Sequence, residues 1–142
     1  MCGDLMNNEY YMNVALSLAK KAYKKNEVPV GALIIKNNKI IAKAYNKKES
    51  KRNPICHAEL IAISKACKKL KTWHLDDCIL YVTLEPCMMC SGAIEQSRIK
   101  QVFYGTENYN SGYMSKLSTV YSKNLNNNNC NVLLKKFFKS KR

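Results

Sequence analysis

The segment from residue 79 to residue 105 is the feature that most limits how this chain can fold. It opens with ILYVTL, a continuous apolar run that is typical of a strand buried on both faces of a sheet. Pro86 then suits the first position of a helix, which is expected to run to about Ser97, and IKQVFYG predicts a second strand. Such a strand–helix–strand unit predicts a parallel pair with a right-handed crossover, so the expected fold class is α/β.

Further elements on both sides of this unit are predicted from apolar periodicity and turn residues. They are a helix over 8–25, strands over 28–35 and 40–45 joined by a turn at Asn37-Asn38, a helix over 57–71, and a short basic helix over 132–142. A chain of 142 residues with 46% apolar residues suits a single domain over 1–142.

The chain shows no feature expected of a secreted or membrane protein. Its first ten residues lack the apolar core of a signal peptide, and its longest near-apolar run, 28–35, is too short to cross a bilayer. Seven cysteines, an odd number, are therefore expected to be reduced thiols, some of them metal ligands. We expect a soluble, cytoplasmic protein.

Basic residues outnumber acidic ones, with 24 Lys and Arg against 10 Asp and Glu, which gives a net charge of +14. A charge of this sign favours a polyanionic partner such as a nucleic acid. However, 21 of the basic residues are lysine and asparagine occurs 16 times, a bias that an AT-rich genome produces without any binding function. The charge therefore leaves both explanations open.

Two short groups carry the chemistry of the chain, HAE at residues 57–59 and PCMMC at residues 86–90, each at the start of a predicted helix. Cys87 and Cys90 are three residues apart, so both thiolates face one side of a first helical turn and can meet one ion. His57 is a third ligand, and two sulfurs with one imidazole select zinc over Mg²⁺ or Ca²⁺. Three protein ligands leave the fourth tetrahedral position open, as in catalytic sites, where Glu59 could exchange a proton with water.

Each group alone has a simpler explanation. An isolated Cys-x-x-Cys is more often a structural zinc site or a pair of core thiols than a catalytic site, and Met88 and Met89 are typical packing residues. Cys56, adjacent to His57, is a rival fourth ligand, and a site closed by it would be structural. His74, the other histidine, is expected to lie in a loop.

The H-x-E and P-C-x-x-C groups together resemble the signature of the zinc-dependent nucleobase deaminases, and more closely that of the bacterial tRNA-specific adenosine deaminases. The resemblance covers roughly residues 9 to 117 and implies a three-layer α/β/α fold of the cytidine-deaminase type, with a mixed sheet of four to five strands. It rests on Asn46 and on four blocks in the family's order, EVPVGALI (27–34), NPICHAELIAI (53–63), LYVTLEPCMMCSGAIEQSRI (80–99) and VFYG (102–105).

The resemblance also implies a role for each site residue. His57, Cys87 and Cys90 would hold one zinc ion per chain, and Glu59 would shuttle the proton while a zinc-activated water attacks C6 of adenine, which yields inosine and ammonia. The implied substrate-binding residues are Val30 in the base pocket, Asn46 on the base edge, and Ala58 through its backbone N–H.

Members of this family act on the wobble adenosine, position 34, of an arginine tRNA, and their homodimers cradle the tRNA between two subunits, so both partners are implied here by resemblance. The positive charge then has a use, because basic residues surround the loop before the predicted metal site and alternate with Phe137-Phe138 near the C-terminus. An exposed helix end whose phenylalanines dock on the sheet explains the same tail equally well. The basic residues concerned are Lys43, Lys47, Lys48, Lys51, Arg52, Lys135, Lys136, Lys139, Lys141 and Arg142.

The chain departs from the family pattern in its C-terminal segment, 118–142, which is shortened and atypical. LSTVYS (117–122) could form a short fifth strand, or the asparagine-rich loop replaces it. The loop after Gly105 also differs, which leaves the substrate the least determined feature.

The alternative function is a deaminase of a free base or nucleotide, of guanine or cytosine type, with the same zinc site. A non-catalytic module built on structural zinc is a third.

Overall fold

A computed structural model describes residues 5–141, which form a five-stranded sheet with helices on both faces. None of the helices in this part of the chain combines the length and the apolarity needed to cross a membrane. In chain order the elements are α1 Leu5–Lys24, β1 Gly31–Lys36, β2 Lys39–Tyr45, α2 Ala58–Leu70, β3 Cys78–Leu84, α3 Met88–Gln96, β4 Gln101–Thr106, a 3-10 turn at Met114–Lys116, β5 Tyr121–Asn124 and α4 Asn128–Ser140.

The sheet is mixed, with the strand order β2-β1-β3-β4-β5. β1 runs antiparallel to β2 and to β3, whereas β3 pairs with β4, and β4 with β5, in parallel. The α/β class and the parallel pair across α3 are therefore confirmed. Asn37 and Asn38 join β1 to β2 with φ of 52° and 61°, the positive values that a two-residue hairpin turn of type I′ requires.

The sheet separates two apolar cores, because alternate side chains of the central strands point to opposite faces. On one face Ile34 and Leu80 pack with Ala62 of α2, and α3 also contributes to this core. On the other face Tyr81 packs with Met12 of α1, and α4 adds to that core. The molecule is thus a three-layer α/β/α structure, as the resemblance implies.

The starts of α3 and β1 differ from the predicted ones. α3 begins at Met88 with Cys87 as its N-cap, so Pro86 precedes the helix instead of occupying its first position. β1 begins at Gly31 rather than at residue 28, because Pro29 lacks the N–H that a strand ladder needs. The starts and ends of α1 and α2 differ from the predicted ones by no more than three residues.

The C-terminal segment contains a fifth strand. β5 pairs with β4 through Tyr121–Asn124, so only the last two residues of LSTVYS (117–122) belong to it. α4 begins at Asn128, earlier than expected, because the side chain of Asn127 accepts the N–H of Cys130 at 3.1 Å and caps the helix. The asparagine-rich run therefore connects strand to helix and does not replace the strand.

Candidate metal centre and active site

The first turns of α2 and α3 supply the three candidate ligands. His57 is the N-cap of α2 and Cys87 is the N-cap of α3, and both have extended backbone. Neither side chain makes the usual capping hydrogen bond to its own helix. Both side chains are therefore free to face the space between the two helix ends, where Cys90 of the first turn of α3 joins them.

The spacing of the three donor atoms fits one zinc ion. The His57 Nδ1 lies 3.5 Å from the Cys90 Sγ and 4.0 Å from the Cys87 Sγ, and all three atoms lie within 4.8 Å of one another. Zn–S bonds near 2.3 Å and Zn–N bonds near 2.0 Å place tetrahedral donors about 3.5 to 3.8 Å apart. Cys56 is not a member of this group in the described part of the chain, so the group offers three ligands and one open position.

The three candidate ligands shift one another's pKa values. Hydrogen bonding to Cys90, and to a smaller extent to His57, lowers the pKa of Cys87 to about 3. The bond to Cys87 raises the pKa of His57, although burial opposes it, and the same partner together with burial raises the pKa of Cys90. Cys87 thus loses its proton more readily than Cys90, and thiolate is the form in which a cysteine binds a metal ion.

Glu59 is the second residue of α2, directly after Ala58, and only 4% of its surface is exposed. Burial raises the pKa of its carboxyl group to about 7, although its own backbone N–H and the nearby His57 favour the charged form. The neighbouring Cys90 side chain also lowers this pKa, but by less. Because it lies beside the metal group and titrates near neutrality, Glu59 can accept and return a proton there.

A cavity of about 160 Å³ opens over this group. It is smaller than the roughly 300 Å³ at which pockets for drug-sized ligands begin, so it suits a single ring system. The predicted site residues Val30 and Asn46 lie on its wall with His57, Glu59 and Cys87. Its other lining residues are Val28, Lys48, Leu84, Glu85, Asn108 and Ser111.

Ala58 is the predicted site residue whose placement differs most from expectation. Its backbone N–H donates to the Asn46 Oδ1 at 2.7 Å, and the residue is fully buried. The donor is thus directed to Asn46 and not to the cavity. This contact fixes the Asn46 amide so that its oxygen is used and its nitrogen remains as a hydrogen-bond donor for a ligand.

Two buried carboxylates near the cavity were not predicted from the sequence. Glu27 accepts the backbone N–H groups of Glu49 and Ser50 at 2.9 and 2.7 Å. Glu85 accepts those of Asn108 and Met114 at 3.2 and 3.1 Å. The sequence contained a signal for both residues. Each glutamate is next to an apolar run, where a charged residue is unusual, and the chain has only 10 acidic residues.

A second, larger cavity of about 590 Å³ adjoins the first and shares Leu84, Asn108 and Ser111 with it. It lies between the loop after β4 and α4. Tyr109 and Phe138 border it with 82% and 50% of their surfaces exposed, and its remaining lining residues include Lys135 and Lys139. Phe137, in contrast, is buried and packs edge-on against Tyr23 of α1. The two adjacent phenylalanines thus have different environments, one docked and one open to a ligand.

Comparisons with known proteins agree with this geometry. A family model described as MafB19-like deaminase matches residues 6–142. The tRNA-specific adenosine deaminase of Aquifex aeolicus is 52% identical over 99 residues, 70% of this chain and 66% of that protein, so the match spans just under two thirds of its length. The tRNA-specific adenosine deaminase of Rickettsia bellii is 50% identical over 71% of both chains.

Solved structures show the same relationship. A structure from a study of A-to-I editing by tRNA:A34 deaminases superposes with a TM-score of 0.82 at 32% identity, covering 89% of this chain and 99% of that one. A guanine deaminase from Bacillus subtilis superposes with a TM-score of 0.68 at 39% identity, covering 79% and 70%. On these matches, the chain belongs to the deaminase family that the MafB19-like model describes and to the tRNA-specific adenosine deaminases.

Proposed function

We propose that this protein is a zinc-dependent hydrolase that converts the wobble adenosine of a tRNA into inosine, with residues 1–142 acting as one deaminase domain in the cytoplasm. One observation carries the proposal: two thiols, one imidazole and a buried carboxyl group surround a cavity sized for one base. Three ligands with an adjacent proton carrier are the arrangement of a hydrolytic zinc site and not of a structural one.

His57, Cys87 and Cys90 hold the zinc ion, one per chain. When bound, zinc lowers the pKa of a water molecule and so supplies a nucleophile at neutral pH. Glu59 takes the two protons of the attacking water in turn, delivering the first to N1 of adenine and the second to the departing amino group. The C6–N bond breaks as a C6–O bond is completed, so adenosine and water give inosine and ammonia.

Val30 and Asn46 orient the base in this scheme. Val30 is a buried apolar side chain on the cavity wall and packs against the base. The Asn46 amide nitrogen donates to an acceptor on the base edge, because its oxygen is already held by the N–H of Ala58. The Ala58 N–H thus acts on the substrate through Asn46.

The second cavity favours RNA over a free base. A free base needs only the small cavity, whereas a strand that places one base there can continue into the adjoining cavity beside Tyr109 and Phe138. Aromatic side chains of this kind stack on bases, while Lys135 and Lys139 can neutralise phosphates. The substrate that we propose is therefore a nucleotide within an unstacked loop, as in the anticodon of an arginine tRNA.

The same zinc site would also serve a deaminase of free guanine, and the similarity to the Bacillus subtilis guanine deaminase supports this second candidate. The decisive assay offers the zinc-loaded protein an anticodon stem-loop with adenosine at the wobble position, and separately free adenine, guanine and cytosine. We expect inosine in the stem-loop and no turnover of the free bases. Turnover of a free base alone would support the second candidate, and no turnover at full zinc occupancy would support a structural zinc module.

We also propose that the protein acts as a homodimer. Ile55, Met88 and Met89 are exposed apolar side chains next to the starts of α2 and α3, and we expect them to contact the second copy. Met88→Lys should convert the dimer to a monomer in sedimentation equilibrium, whereas Val132→Lys, at an exposed apolar site on α4, should not. A wild-type protein that sediments as a monomer would contradict the proposal.

A further inference from the structure

We infer that Glu85 is a positioning residue, which holds the loop over 107–114 against the start of α3 and so sets one wall of the base cavity. The inference rests on the proposed function and names a determinant of substrate fit within the same site. Glu85 is the last residue before the PCMMC group, and its side chain is only 6% exposed. Nothing in the proposed proton transfers uses this carboxylate, so its burial needs another explanation.

The two carboxylate oxygens hold the two ends of the loop. The Oε1 accepts the N–H of Asn108 at 3.2 Å, and the Oε2 accepts the N–H of Met114 at 3.1 Å. Asn108 lines the base cavity, and Ser111 lies on the same wall. A single side chain therefore spans the loop that carries both residues, from a position two residues before Cys87.

The loop is built to receive this carboxylate. A β-carbon added to Gly112 would lie 2.3 Å from the Glu85 Oε1, so only glycine lets the carboxylate enter the loop. Two further backbone contacts fix the loop to the two residues that precede α3. The N–H of Tyr113 donates to the Pro86 carbonyl at 3.1 Å, and Gly112 forms an isolated β-bridge with Cys87. The wall of the cavity and the metal group thus share one rigid support.

The chemistry of the side chain explains why a glutamate is needed here. A carboxylate offers two acceptor oxygens, whereas a glutamine amide offers one oxygen and a nitrogen that only donates. Glu85→Gln keeps the shape of the side chain but sets a donor against one of the two loop N–H groups. One end of the loop is then released, while the zinc ligands and Glu59 are unchanged.

The test compares Glu85→Gln with the wild type in the zinc-loaded, full-length protein. We expect KM for the anticodon stem-loop to rise about tenfold, with kcat within about twofold, because an unpaired buried N–H moves the cavity wall and not the reacting groups. Hydrogen exchange should accelerate at the amides of Asn108 and Met114 while β3 and β4 keep their protection. Gly112→Ala, which displaces the carboxylate from the other side, should reproduce both effects.

Two substitutions serve as controls. Glu95→Gln makes the same chemical change at an exposed glutamate of α3, and Gly92→Ala adds a methyl group where no neighbour lies within 4 Å. Both should match the wild type in KM and in loop exchange.

Three results would overturn the inference: unchanged KM and loop exchange in Glu85→Gln, a fall in kcat at constant KM, or faster exchange throughout the sheet. If the wild type deaminates no RNA, the proposed function fails, yet the exchange measurement still decides whether Glu85 holds the loop.

Discussion

His57 and Cys87 occupy equivalent positions in two different helices, and this explains much of the chemistry of the site. An N-cap side chain normally satisfies the free N–H groups of its helix. Here both side chains turn towards each other, so the positive ends of two helix dipoles face the candidate metal group. Such an environment favours thiolate over thiol, in agreement with the low pKa of Cys87.

Glu59→Gln separates proton transfer from metal binding. Because Glu59 is not one of the three grouped ligands, the variant should retain one zinc per chain in metal analysis. Its kcat on an anticodon stem-loop should fall by about 10² to 10⁴, the usual contribution of a general acid–base group. Glu95→Gln, on the exposed face of α3, should show wild-type kcat and zinc content. Wild-type turnover by the Glu59 variant would exclude the proposed role.

Cys56→Ala tests whether the site is open or closed. Cys56 adjoins His57 in sequence but does not belong to the group of donors, so its removal should leave both zinc content and activity unchanged. Cys90→Ala removes a grouped ligand and should abolish tight zinc binding. The comparison is made by metal analysis after dialysis against a weak chelator. Loss of zinc from the Cys56 variant would indicate four protein ligands and a structural site.

At the scale of elements, the strand–helix–strand unit was the most predictable part of the fold. A continuous apolar run flanked by turn residues leaves few alternatives to a buried strand. The bounds of β3 and β4 agree with the predicted ones to within two residues. The start of α3 was less predictable, since a proline suits both the first helical position and the residue before an N-cap. The structure places Pro86 outside because Cys87 takes the N-cap.

The carboxyl-terminal elements could not be predicted as well, for a physical reason. β5 is an edge strand whose side chains alternate between exposed and half-buried, so its sequence YSKN shows little apolar pattern. What defines it is pairing with β4, a long-range contact that no local signal reports. Likewise, the candidate metal ligands were recognisable from their spacing in the sequence, whereas the role of Glu85 depends on contacts with a loop 23 residues away.

Gly31→Ala tests the packing of α1 on the sheet. An added β-carbon would lie 2.1 Å from the carbonyl oxygen of Ala15 and 2.7 Å from the backbone nitrogen of Ala19, so helix and strand must separate. We expect the free energy of unfolding to fall by roughly 1 to 3 kcal/mol in urea denaturation. Gly92→Ala, where no atom lies within 4 Å, should instead stabilise α3 by about 0.5 to 1 kcal/mol. Equal effects of the two substitutions would contradict the close contact.

Across the whole molecule, the lysines most relevant to a ligand are those that line the two adjoining cavities. The net charge of +14 is spread over many lysines, and composition alone accounts for such a spread. Lys135 and Lys139 border the second cavity, which adjoins the first, and they lie beside the exposed ring of Phe138. If RNA is the substrate, these two lysines, and Lys48 on the wall of the first cavity, should contribute to binding, while lysines far from both cavities should not.

Salt dependence measures this contribution. Affinity for an unlabelled anticodon stem-loop, followed by competition with a fluorescent one, should fall steeply with salt, since each phosphate contact adds about −0.7 to the slope of log K against log[salt]. Replacing both Lys135 and Lys139 with alanine should make the slope shallower by about 1.4, two such contacts. The matched control replaces Lys68 and Lys69, exposed at the opposite end of α2 from Glu59, and should keep the wild-type slope. A wild-type affinity that does not change with salt would mean that the lysines reflect composition and not RNA binding.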